Sequence, residues 1–79
     1  MELILSPTAA KYLLKLDADT RERIKCALRG LLQEPPQGDI KNMRDSVAYR
    51  LRIGQYRVIF EYADKIIVRK IGSRGDIYK

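Results

Sequence analysis

The hydrophobic pattern of this chain changes period once, near its middle, and that change constrains the fold more than any other feature. Before Pro35-Pro36 the apolar residues recur at helical spacing; from Tyr49 onward they alternate with polar ones. A chain of 79 residues with one such switch has room for a single small domain, spanning 1–79, in which helices pack on a sheet. The expected class is α+β, with an N-terminal strand and an antiparallel helix hairpin packed on a small antiparallel sheet.

Glu2 to Leu5 is a short apolar run that reads as a strand. Ser6-Pro7 then opens a helix, with a hydroxyl at the N-cap and proline at the first helical position. This helix is expected from about Pro7 to Leu16, with Ala9, Ala10, Tyr12, Leu13, Leu14 and Leu16 at helical spacing. Asp17-Ala18-Asp19 interrupts it, and Asp19 with Glu22 reads as a capping box for a second helix. Its buried stripe is Ile24, Ala27, Leu28, Leu31 and Leu32, and Glu34-Pro35-Pro36 ends it because proline lacks the amide donor. Residues 37–46 show no period and are expected to form a loop. Tyr49, Leu51 and Ile53, then Tyr56, Val58 and Phe60, alternate around a Gly54-Gln55 turn, and Ile66 to Ile71 adds a β-branched strand. The expected sheet core is a three-stranded antiparallel meander.

Lys+Arg number 16 against 10 Asp+Glu, a formal charge of +6, with one cysteine and no histidine. An internal disulfide is excluded, and no Cys/His cluster is available for zinc, so neither a metal nor a cofactor is expected. The N-terminal residues lack a basic leader, and no apolar run approaches the roughly 18 residues of a membrane span. The expected setting is cytoplasmic, without a membrane. The basic excess suits contact with phosphates or with an acidic partner.

Successive strand side chains point to opposite faces. With Leu51, Val58 and Phe60 under the helices, Arg50, Arg52 and Arg57 stand together on the uncovered face. A solvated outer face is the plain reading of such alternation. Crowded like charges on neighbouring strands are destabilising, however, and their concentration around one hairpin asks for an anionic ligand or an acidic partner. Tyr49, Tyr56 and Tyr62 are expected to pack, Cys26 to sit as a structural thiol beside the buried stripe, and the helix cations Lys11, Lys15, Arg21, Arg23, Lys25 and Arg29 to be solvated.

The run from Tyr49 to Phe60, with Ile71-Gly72-Ser73-Arg74-Gly75-Asp76-Ile77-Tyr78, resembles the core signature of RelE-like toxins in the RelE/ParE superfamily, and nearly the whole chain fits that family's order of elements. The resemblance implies the toxin of a type II toxin–antitoxin pair, a ribosome-dependent endoribonuclease acting on messenger RNA, held inactive in a hetero-oligomer by a cognate antitoxin that is acidic and partly disordered when free. It implies catalytic roles for Arg52, Arg57, Arg74 and Tyr78, and RNA binding by Arg50, Arg52, Arg69 and Lys79. Two other outcomes stay open within the superfamily: a ParE-like inhibitor of DNA gyrase that cuts no RNA, or a relic that only binds its antitoxin.

Such a reaction uses the ribose 2′-OH as nucleophile against the adjacent phosphate. Guanidinium groups suit orientation and charge neutralisation, since their planar forks match phosphate oxygens. Tyr78 suits stacking on a splayed base or donating a hydrogen bond. The proton carrier stays open among Tyr78, Arg52, Arg50, Lys79 and Glu61, because no histidine is present and many relatives carry one where Ser73 stands.

Overall fold

In the computed structural model, residues 1–43 and 47–73 are described. The element order is β1 (Leu3–Leu5), α1 (Pro7–Leu14), α2 (Ala18–Gly30), β2 (Asp39–Asn42), β3 (Ala48–Ile53), β4 (Tyr56–Tyr62) and β5 (Ile66–Ser73). One five-stranded sheet runs in the order β1-β5-β4-β3-β2. The expected α+β class holds, but the sheet is mixed: β1 lies parallel to β5, and β2 to β5 are antiparallel. Two helices precede the antiparallel strands, so β1 reaches its partner β5 across the whole sequence. No helix among the described residues is long and apolar enough to cross a membrane.

Ser6 caps α1 as expected, its Oγ accepting from the Ala9 amide at 3.1 Å. The same hydroxyl donates to the Arg69 carbonyl at 2.8 Å, which pins the helix start to β5. The cap of α2 differs from expectation. Asp17, in extended geometry, accepts from the Thr20 amide at 3.1 Å and from its hydroxyl at 2.6 Å. Helix α2 therefore starts before Asp19, which lies in its first turn, where an acidic side chain complements the helix dipole. Arg21 is no solvated cation: its Nε and Nη2 donate to the Leu13 and Leu16 carbonyls at 3.1 and 2.8 Å, satisfying the C-terminal end of α1.

The Thr20 hydroxyl, then its amide, hold the Asp17 carboxyl below the usual aspartate range. A folded-state value below the unfolded one stabilises the fold above the unfolded value, and this stability is lost as pH falls through the folded value. Asp17→Ala is therefore expected to lower the Tm by a few degrees at neutral pH. In thermal melts followed by circular dichroism, the gap from wild type should narrow once pH drops below the ordinary aspartate range. A gap independent of pH would assign the loss to helix propensity instead.

The core joins Ala9, Leu13, Ile24, Leu28 and Leu31 from the helix region to Leu51, Val58, Phe60, Ile66, Val68 and Ile71 from one face of the sheet. Two expected core residues are absent from it. Leu14 is 74% exposed at the end of α1, and Leu32 is 38% exposed because α2 ends at Gly30 rather than at the prolines. Cys26 is likewise exposed and does not pack as a structural thiol. The expected loop over 37–46 contains β2, an edge strand whose Ile40 turns toward the core while Asp39, Lys41 and Asn42 are exposed. At its start Gly38 has φ +131, and a Cβ there would stand 2.7 Å from the Leu51 side chain, so only glycine fits without strain.

Candidate nucleic-acid interface

The uncovered sheet face is built by alternation outward from the buried residues. Because Leu51 and Val58 are buried, Arg50, Arg52, Arg57 and Ile59 turn the other way. The register sets Arg52 opposite Arg57 and Arg50 opposite Ile59. Beyond Arg52 lies Asp39, and beyond Arg50 lies Lys41. On the other side, Gly72 flanks Arg57 and Lys70 flanks Ile59. Two cross-strand rungs result: Asp39, Arg52, Arg57, Gly72 and, next to it, Lys41, Arg50, Ile59, Lys70.

The first rung ends at the tight hairpin. Gly54 has φ +58, and a Cβ there would approach the Arg23 guanidinium to 2.8 Å, which accounts for glycine at this turn. Arg57 is the more confined of the paired arginines. Its Nε and Nη1 are buried with no hydrogen-bond partner among the described residues, whereas Arg52 is exposed. Buried donors without partners are costly to keep. Here they lie beside a second guanidinium on the opposing strand, a pairing that is repulsive unless an anion lies between them.

The expected RNA contact Arg69 has a protein partner. Its Nε and Nη2 donate to Glu61 at 2.9 and 3.3 Å, and that hydrogen bond, followed by the carboxylate's charge, raises the Arg69 pKa. Glu61, one of the expected proton carriers, is thus held in an ion pair and sits beside Ala48, beyond both cationic rungs. Arg50 and Arg52 stand on the face as expected. Arg74, Tyr78 and Lys79 lie outside the described residues. Lys41 and Lys70 are cations of this face that the sequence pattern did not single out. Lys41 falls in a strand without alternation, and Lys70 follows a break in the pairing between Ile59 and Phe60.

On the helix side of the sheet, Tyr49 stacks on Phe60 with ring centroids 5.6 Å apart and meets Tyr62 edge-on at 6.4 Å. With Pro36 and Ile40 they line a groove of about 320 Å³. Tyr49 and Tyr62 are packing residues, as expected. Among the described residues, this groove is lined by no carboxylate or cation.

The fold is that of the small toxins of the RelE/ParE superfamily. The solved structures it resembles include the RelB–RelE antitoxin–toxin complex of Methanococcus jannaschii, at 28% identity and TM-score 0.78, covering 95% of this chain and 94% of that one. The RelE–RelB complex of Pyrococcus horikoshii matches at 24% identity and TM-score 0.78 over 95% and 96% of the two chains. The isolated RelE toxin of E. coli matches at 24% identity and TM-score 0.77 over 98% and 89%. At the sequence level, residues 3–78 match the family described as the ParE toxin of type II toxin–antitoxin system, parDE. The chain belongs to this family, within the RelE/ParE superfamily. No curated protein sequence matches it.

Proposed function

We propose that this chain is the toxin of a type II toxin–antitoxin pair and acts as an endoribonuclease that cuts messenger RNA on the ribosome. The observation that carries this reading is the Arg52–Arg57 rung, with two buried Arg57 donors that no described side chain satisfies. A scissile phosphate placed there receives hydrogen bonds in the plane of the guanidinium, and the charge that builds up on its oxygens is neutralised without reorganisation. The ribose 2′-OH attacks the phosphorus and loses its proton, the 2′-O–P bond forms, and the P–O5′ bond breaks as the departing 5′ oxygen takes up a proton, which leaves a 2′,3′-cyclic phosphate and a 5′-OH; the proton carriers are not assigned. Arg50 and Lys41 hold the flanking backbone. Arg74, by its position after β5, is assigned to the same phosphate, and Tyr78 to the adjacent base.

The M. jannaschii and P. horikoshii relatives were solved with their antitoxins. We extend that partnership to this chain: a cognate acidic antitoxin neutralises the +6 charge and stabilises the toxin by mass action. The matching family model, that of ParE toxins, favours a second reading in which the same face binds DNA gyrase and cuts nothing. Expression of the chain without its antitoxin, with mapping of transcript ends, tests the first reading. New 5′ ends inside translated messages are expected; intact transcripts, together with inhibited supercoiling by the purified protein, would establish the second. Intact transcripts with unaffected growth would identify an antitoxin-binding relic.

A further inference from the structure

Strict alternation along β5 would turn Lys70 toward the core, and the observed register instead adds it to the open face. From the buried Ile66 and Val68, strict period two places Arg69 outward and Lys70 inward. The register differs. Phe60 pairs with Val68 while Ile59 pairs with Lys70, leaving Arg69 as an extra residue. Such a bulge bends the strand and re-aims the side chains beyond it. Ile71 is thereby turned inward and 4% exposed, whereas Lys70 is exposed. The Ser6 hydroxyl, donating to the Arg69 carbonyl at 2.8 Å, occupies the acceptor that the bulge frees from the ladder.

We infer that Lys70 is a phosphate-binding residue, holding the backbone of a single-stranded RNA one nucleotide away from the phosphate seated at Arg57. This inference rests on the proposed RNA-cutting function and deepens it. Lys70 lies opposite Ile59, two residues along β4 from Arg57. The two cations are diagonal neighbours, a separation of roughly 7–8 Å between backbones, on the scale of a nucleotide step. Ile59, opposite Lys70 and two residues along β4 from Arg57, carries no charge and offers both cations an apolar neighbour over which a ribose or base can lie. Glu61, further along β4, is engaged by Arg69, and the other residues that face Lys70, namely Ile59 across the ladder, Arg57 on β4 and Gly72 on its own strand, carry no carboxylate. The bulge thus separates two consecutive cations by role. Arg69 ties the strand to Glu61, and Lys70 serves the ligand.

The test uses fluorescence anisotropy with a labelled single-stranded RNA made uncleavable by 2′-deoxy substitution, titrated at several salt concentrations. Lys70→Ala is expected to weaken binding about threefold to fivefold and to reduce the slope of log affinity against log salt by about 0.7, the contribution of one phosphate contact on a single strand. Arg69→Ala, which removes the same charge one residue away, is expected to weaken binding less. Lys11→Ala on α1 is expected to leave both quantities unchanged. Equal effects of all three variants would mean that only net charge matters and would overturn the inference, as would a Lys70→Ala curve that overlays wild type. Wild-type protein that neither binds nor cuts RNA would overturn the proposed function itself. Circular dichroism melts of each variant confirm that the comparison is between folded chains.

Discussion

Replacing Arg57 by methionine is expected to abolish transcript cleavage and toxicity while raising the melting temperature. Two of the Arg57 donor atoms are buried without a partner among the described residues, and each such group costs about 1–3 kcal/mol relative to one in water. Arg52 directly opposite adds like-charge repulsion. Methionine retains an unbranched apolar stem that fills the space of the arginine methylenes and brings no donor. Relief of about 1 kcal/mol corresponds to a gain of about 4–8 °C in a domain of this size. Removing a preorganised donor from the developing charge on a phosphate is expected to slow cleavage about 10²–10³-fold. Opposite signs for stability and activity mark a residue kept for its ligand rather than for the fold. A variant with lower Tm and undiminished cleavage would instead make Arg57 a structural residue.

Phe60→Ala is expected to leave the isolated chain largely unfolded at 25 °C. Phe60 is 1% exposed, among the largest fully buried side chains, and its ring stacks on Tyr49. Truncating a buried phenylalanine costs about 3–5 kcal/mol through lost transfer energy and the cavity left behind. A single core in a domain of this size supplies about the same net stability, and Cys26, the one cysteine, cannot staple it internally. Far-ultraviolet circular dichroism and urea titration report the outcome directly. Ile4→Ala, on the short β1 strand where the side chain is 37% exposed, provides the comparison and is expected to change Tm little. A cooperative Phe60→Ala melt close to wild type would show that the core is centred elsewhere.

Much of this molecule was legible in the residues. The Ser6-Pro7 helix start, the Gly54-Gln55 turn and the outward set Arg50, Arg52 and Arg57 all follow from local chemistry and from strict alternation, which is unbroken in β3 and β4. The cap at Asp17 was missed because two aspartates two residues apart both satisfy a capping pattern. Only the extended geometry of Asp17 and its Thr20 contacts select one. Leu32 reads as a core residue because periodicity extends past Gly30, where α2 stops, whereas Leu14 is the last residue of α1 and is exposed there.

The sequence by itself determined where the period changes, which strands form the central hairpin and which face of it carries the arginines. The tertiary structure decided three matters that local pattern does not encode. It recruited Asp39–Asn42 as an edge strand, since a half-solvated edge needs no alternation when one residue, Ile40, faces the core. It paired β1 with β5 in parallel, a contact across nearly the whole chain whose partners share no local signal. It also placed the bulge at Arg69, so that Lys70 joins Arg69 on the open face. Side-chain direction in a strand is inherited from the register with its partner, and one extra residue reverses the parity of everything beyond it.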